Sequence, residues 1–172
     1  MDAIVSVTKD WAIGKDGQLL VRNKEDMHRF VELTRGCTCI MGRKTYESFP
    51  GGPLKGRRNV IITRNASYVL PNSDDLPEGT TAETVCSPTA AIELTKDDEK
   101  VWLIGGDSIY RALLNQCQGV YVTMNDTVTE APDAFFQNLD ESDDWTLAER
   151  QGAGTTKAGI PFEFLRYEMV VR

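Results

Sequence analysis

Short runs rich in β-branched residues alternate with helix-like segments from one end of the chain to the other, and that alternation constrains the fold more than any other feature. DAIVSVT (2–8), TCIMG (38–42), RNVIIT (58–63), TAETVC, KVWLIG and GVYVTMN each read as a strand bounded by turn residues. Between them lie a helix from about Lys24 to Thr34, a short helical turn from about Lys44, and SPTAAIELTK, in which Ser87 stands as N-cap and Pro88 at the first helical position. DSIYRALLNQ reads as a fourth helix. Strand, helix, strand repeated in this way demands a mainly parallel sheet covered by helices on both faces. WTLAER and FEFLRYEMVV, separated by a Gly-rich turn, add an antiparallel hairpin at one edge. With 172 residues, no internal repeat and no linker, one α/β domain over 1–172 is expected.

Charge and composition narrow the function. The net charge of −7 argues against a general binder of nucleic acid or anionic membrane. No apolar run approaches the ~18 residues of a membrane span, and the opening MDAIVSVTKDW lacks a basic stretch followed by an apolar one, so a cytoplasmic setting is expected. Within Arg43–Arg64, however, six Lys and Arg residues face Glu47 alone, an excess of five that leaves the remainder at −12. A basic island on an acidic chain suits a small polyanion. Four scattered cysteines do not make a disulfide framework, and Cys37 and Cys39 share one strand face in an apolar run, as packing residues do. A single histidine, His28, leaves a His-based metal site or a Cys/His dyad without its second member. No metal is expected.

Two strand-to-helix junctions carry the chemistry an α/β sheet concentrates at its carboxyl ends. In IMGRKT, Gly42 ends a strand and is followed by Arg43, Lys44 and Thr45 at a helix start, where free N–H groups, the helix dipole and two cations converge on a site fit for phosphate. In VWLIGGDSIY a Gly-Gly pair ends the strand and Asp107 or Ser108 is placed to cap the next helix. Neither is the GxGxxG fingerprint, so a standard dinucleotide fold is not indicated.

The third feature is Asp26. Its helical neighbours are Phe30 and Leu33 at i+4 and i+7, with Met27, Val31 and Thr34 alongside, while Glu25, His28, Arg29 and Glu32 form the wet face. Two readings stand side by side: with Asn23 as N-cap, Asp26 is at N3 and can close a capping box. Alternatively it is a buried carboxylate waiting for a ligand with two parallel N–H donors.

Taken in order, AIVSV, AIGKDGQLL, EDMHRF, IMGRKTYES, PLKGRRNVIIT, VWLIGGDSIY, VYVT and DAFF resemble the dihydrofolate reductase family, in its bacterial chromosomal form, over essentially the full chain. The resemblance implies NADPH-dependent reduction of dihydrofolate by hydride transfer to C6 with a proton to N5. It makes Asp26 the active-site acid, supported by Thr123. Val5, Ser6, Leu19, Met27, Phe30, Phe49, Leu54, Ile104 and Tyr110 become walls of the folate pocket, and Arg57 the partner of the glutamate α-carboxylate. Val7, Ile13, Gly14, Gly42, Arg43, Lys44, Thr45, Thr63, Arg64, Gly105, Gly106, Asp107, Ser108 and Ile109 become the NADPH cradle, with Gly105 and Gly106 joined by a cis peptide. The loop from Ile13 to about Arg22 becomes a mobile flap latched by Asp133. Dihydrofolate and antifolate inhibitors are the implied ligands, and a monomer the implied state.

The chain departs from the family pattern in three places. Leu20-Val21 replaces a usual Pro-Trp, Lys24 stands where a proline is common, and EAPDAFF carries one extra residue, so Pro132 is expected to alter how the flap is latched. Two other functions compete with reduction of dihydrofolate. A riboflavin-pathway pyrimidine reductase would share fold and cofactor but has no use for the D-M-x-x-F helix motif together with Arg57. A non-catalytic NADPH or folate binder would have no use for Asp26 with Thr123.

Overall fold

The computed structural model describes residues 1–172. An eight-stranded sheet runs in the order β10-β11-β8-β1-β7-β4-β5-β6. Its strands are β1 (Asp2–Val7), β4 (Thr38–Gly42), β5 (Arg58–Ile62), β6 (Thr81–Val85), β7 (Val101–Leu103), β8 (Gly119–Asn125), β10 (Trp145–Thr155) and β11 (Pro161–Met169). From β8 through β6 every pairing is parallel; β11 joins β8 antiparallel, and β10 joins β11 the same way. The mainly parallel sheet with an antiparallel edge is as the sequence pattern required.

Period-two alternation sorts the strands' side chains onto two cores. Ala3, Val5 and Val7 of β1, Ile40 of β4, Val60 and Ile62 of β5, Leu103 of β7 and Val122 of β8 enter the larger cluster. Ile4, Cys39, Met41, Ile61 and Trp102, one residue out of phase with these, enter the smaller one on the other face. The helices are α1 (Lys24–Thr34), α2 (Arg43–Glu47), α3 (Pro88–Thr95) and α4 (Asp107–Leu113). Phe30 and Leu33 of α1 cover the smaller cluster, and Ala91 of α3 with Ile109, Tyr110 and Leu113 of α4 cover the larger. Burial of a Val, Leu or Ile side chain stabilises by roughly 1.5–3 kcal/mol, so both helical layers are anchored by a few such residues each.

Local expectations hold closely for α3, where the Ser87 side chain accepts from the Ala90 N–H and Pro88 opens the helix. They fail in the segment after β1 and in the stretch before the C-terminal hairpin. There β2 (Ala12–Lys15), β3 (Gln18–Leu19) and β9 (Ala134–Phe135) form a separate three-stranded sheet in the order β3-β2-β9. Two-residue strands carry no periodicity to read, and β2 finds its partner more than a hundred residues away. In the hairpin, Gly152 and Gly154 lie inside β10 and not in its turn, where Gly152 with φ +153° accompanies an irregularity in the β10–β11 register.

Candidate active site

Asn23 caps α1, its side-chain oxygen accepting from the Asp26 N–H at 3.1 Å. The reciprocal bond, in which the Asn23 N–H would donate to the Asp26 carboxylate and complete a capping box, is not made. Asp26 Oδ1 instead accepts from the Thr123 hydroxyl at 2.5 Å, across a sequence separation of 97 residues. Thr123 lies on β8 beside Ser6 of β1, with which it is in register. Burial pushes the Asp26 carboxyl above the usual carboxylate range; the Thr123 hydrogen bond and the Arg29 charge oppose that shift without cancelling it. An acid that keeps its proton above the ordinary range, in a largely apolar setting, is suited to general acid work.

On the sheet face that carries the acid, Phe30, Phe49, Leu54 and Ile104 are partly buried against the smaller core. Met27 at 50% and Leu19 at 60% exposure are open to solvent. Ser6 is half-buried, on the Asp26 side of β1. Two expected wall residues need correction. The side chains of Val5 and Tyr110 belong to the larger core, across the sheet from Asp26, because Val5 is out of phase with Ile4 and Ser6 on β1. Only the Val5 backbone borders the acid's side, and Tyr110 contributes by donating its hydroxyl to the Ile4 carbonyl at 2.6 Å. Ile4, which the sequence reading passed over, is the strand residue on the pocket face.

Arg57 is 6% exposed, and its guanidinium is already oriented. Nε donates to Thr34 Oγ1 at 3.1 Å, Nη1 to the Lys55 carbonyl at 2.8 Å and Nη2 to the Val31 carbonyl at 3.3 Å, leaving one N–H on each terminal nitrogen. Thus the basic island is not one site. Arg58 pairs with Glu83 and Asp98, both at 2.9 Å, at the amino end of β5, whereas Arg64 follows its carboxyl end, about 20 Å away at strand rise. Arg43 and Lys44 begin α2 after the parallel neighbour β4.

That second group faces a backbone cradle. Gly42 caps α2 and Gly106 caps α4, neither with a side-chain hydrogen bond, so the first N–H groups of both helices are left for a ligand. The expected capping by Asp107 or Ser108 is therefore corrected: Asp107 is the first helical residue and pairs with Arg111 at 3.4 Å, and Ser108 is exposed. The two glycine junctions adjoin, the Gly42 N–H donating to the Gly105 carbonyl at 2.8 Å. The Gly105–Gly106 peptide is cis. Side chains at these positions would close the cradle: a Cβ at Gly42 would lie 3.0 Å from Ile109, at Gly105 3.2 Å from the Tyr110 ring, and at Gly106 3.3 Å from Thr45 Oγ1. Arg43 stacks over Tyr68 at 4.2 Å and meets Glu47 at 3.5 Å. Thr63 is buried with its hydroxyl accepting from Asn65 N–H. Two uncapped helix starts with Arg43, Lys44 and Arg64 beside them fit a dinucleotide carrying an extra phosphate.

The flap segment is latched. Asp16 N–H donates to Asp133 Oδ2 at 2.8 Å, Asp133 N–H to the Gly14 carbonyl at 3.1 Å, and Lys15 Nζ to the Glu130 carbonyl at 2.8 Å. Ala131, at φ +48°, turns the chain just before Pro132, so the extra residue is taken up in the turn and Asp133 still reaches Asp16. Ile13 and Gly14 lie on β2 within this small sheet. A cleft of about 390 Å³ opens beside the flap's end, between Arg22–Glu25 and Thr155–Ala158, without including Asp26.

A family model for dihydrofolate reductase matches residues 1–169. The chain belongs to the dihydrofolate reductase family. It is 33% identical over 164 residues to the dihydrofolate reductase of Neisseria gonorrhoeae, covering 95% of this chain and 94% of that one. It is also 33% identical over 150 residues to the bifunctional dihydrofolate reductase-thymidylate synthase 2 of Arabidopsis thaliana, covering 81% of this chain but only 26% of that protein. Among solved structures it resembles the dihydrofolate reductase of Enterococcus faecalis complexed with NADP(H) and RAB-propyl, with a TM-score of 0.82, 25% identity, and coverage of 99% and 96% of the two chains. Two further residues bear on this dihydrofolate reductase site and were not among those expected. Arg29, assigned by helical pattern to the wet face, is half-buried with its guanidinium 4.2 Å over the Phe164 ring and 5.6 Å over Tyr121. Asn125 is wholly buried at the end of β8. Neither has a local signal: the partners that draw them inward lie on other strands.

Proposed function

We propose that this chain, as one domain and a cytoplasmic monomer, reduces 7,8-dihydrofolate to tetrahydrofolate with Asp26 as its active-site acid. The observation that carries the assignment is the half-buried Asp26 carboxylate, held by Thr123 on the sheet face where Phe30, Phe49, Leu54 and Ile104 pack as partly buried apolar residues. A pterin presents two parallel N–H donors to such a carboxylate, and a planar ring to such residues. Antifolates built on a diaminopyrimidine would use the same acid. The free N–H on each terminal nitrogen of Arg57 suits the glutamate α-carboxylate.

NADPH, when bound, supplies the hydride that C6 of the substrate receives. Gly42, Gly105 and Gly106 would admit its phosphates to the helix starts, and Arg43, Lys44 and Arg64 would favour the form with the extra 2′-phosphate. The protein's own part is geometry and proton affinity. Thr123 fixes the carboxylate's orientation, and partial burial keeps Asp26 protonated above the ordinary range. The proton that Asp26 gives up when its carboxylate accepts the two pterin N–H donors passes to the pterin side of the pocket.

Mixing the protein with NADPH and dihydrofolate should deplete absorbance at the nicotinamide band. Tight NADPH binding without depletion would instead identify a binding protein, and depletion only with a ribityl-pyrimidine phosphate would identify the riboflavin-pathway reductase.

A further inference from the structure

Asn125 and Asn23, 0% and 2% exposed, are buried amides in a region that apolar side chains could fill without desolvating two polar groups. Their hydrogen bonds form a continuous line. Asn125 Nδ2 donates to Ser6 Oγ and to the Val7 carbonyl, both at 3.0 Å, and makes a longer contact of 3.5 Å to the Thr123 carbonyl. Asn125 Oδ1 accepts from Asn23 Nδ2 at 3.4 Å, and Asn23 Oδ1 accepts from the Asp26 N–H at 3.1 Å. Thr123 and Asn125, two apart on β8, lie on one face of the strand. One grips the Asp26 carboxylate and the other, through Asn23, its amide.

We propose that Asn23 and Asn125 are positioning residues for Asp26: they dock the first turn of α1 against β1 and β8 so that Thr123 Oγ1 meets the carboxylate. This rests on the reading of Asp26 as the active-site acid. A helix start held only by its own cap could slide along the strand; tied to two strands, it cannot shift without breaking buried hydrogen bonds. The other titratable groups coupled to Asp26 are Arg29 on α1 and Tyr110 on α4, with Tyr121 of β8 facing Arg29. None is bonded to Asn23 or Asn125, so cutting the line changes the Thr123 contact and leaves those groups in place. Because that contact lowers the acid's pKa, its loss raises it.

Asn23→Ser separates the two roles of Asn23. Serine caps a helix about as well as asparagine but is too short to reach Asn125. In the full-length protein, carbon NMR titration of the Asp26 carboxyl should show a midpoint moved to higher pH in Asn23→Ser and in Asn125→Leu. The double variant should move no further than the larger single shift. In turnover assays the KM for dihydrofolate should rise about threefold or more, the share of one neutral hydrogen bond, and the descending limb of the rate against pH should move the same way. A lowered melting temperature with an unmoved Asp26 titration and unchanged KM would reduce the pair to structural support and overturn the proposal, as would a wild-type titration in both variants. The titration needs no turnover, so failure of wild-type reduction of dihydrofolate would refute the functional reading separately.

Discussion

Asp26 shows how one side chain carries two opposed free-energy demands. Its raised pKa means that the folded chain keeps a proton which the unfolded chain releases in the ordinary carboxylate range. Stability is therefore lost as pH rises from that range toward the raised value, and the loss is complete above it. Asp26→Asn removes this penalty, and thermal melts should show the variant more stable than wild type at mildly alkaline pH, with the difference shrinking as the medium is acidified. The same variant should lose about 10²–10⁴-fold in turnover at neutral pH, the usual worth of a positioned acid, as stopped-flow hydride transfer would measure. Arg29 acts on the same group with opposite sign, since its charge lowers the Asp26 pKa from a seat over Phe164. Arg29→Leu should move the descending limb of the rate against pH to higher values; an unmoved limb would show that the charge is screened. At this scale the sequence placed Asp26 correctly on the α1 face but put Arg29 on the wrong one, because an i,i+3 pattern is blind to aromatic rings supplied by β8 and β11.

At the scale of elements, function depends on where short segments end. Helices α2 and α4, of five and seven residues, are too short to be stable alone; the parallel strands β4 and β7 place their uncapped starts side by side. The small β3-β2-β9 sheet is different in kind: Ala12 and Ile13 root β2 in the larger core, but the exposed tip from Asp16 to Leu19 is held by the Asp133, Gly14 and Glu130 hydrogen bonds. Low local stability is what a moving flap requires. Asp133→Ala removes the 2.8 Å bond to Asp16. Turnover should fall about two- to tenfold, equivalent to one hydrogen bond, while the global melting temperature stays within error because the exposed latch adds nothing to the core. Hydrogen exchange at Asp16 would report the latch directly. The residues of this flap were legible in the sequence as a loop; its strands were not, for lack of periodicity in segments of two to four residues.

Across the whole molecule, charge is arranged by function. A chain of net charge −7 would repel a polyphosphate in general, yet it holds Arg43, Lys44 and Arg64 at the carboxyl ends of β4 and β5 while Arg58 is neutralised by Glu83 and Asp98 at the other end. Replacing both Arg43 and Arg64 by uncharged residues should raise the KM for NADPH about tenfold or more, the worth of a charge-assisted contact. The KM for NADH should move far less, so steady-state assays with both cofactors would show the preference narrowed. The sequence by itself determined the layered α/β architecture, the strands and helices of the main sheet and the acid on α1, because these rest on local periodicity and capping. Tertiary structure decided whether Asp26 closes a capping box or takes Thr123, which face Val5 and Tyr110 serve, how the basic island divides, and that two buried asparagines tie the acid's helix to the sheet. Those outcomes depend on pairings between residues 23 to 119 positions apart, and strand order and register, which bring them together, are set by the packing of the whole chain.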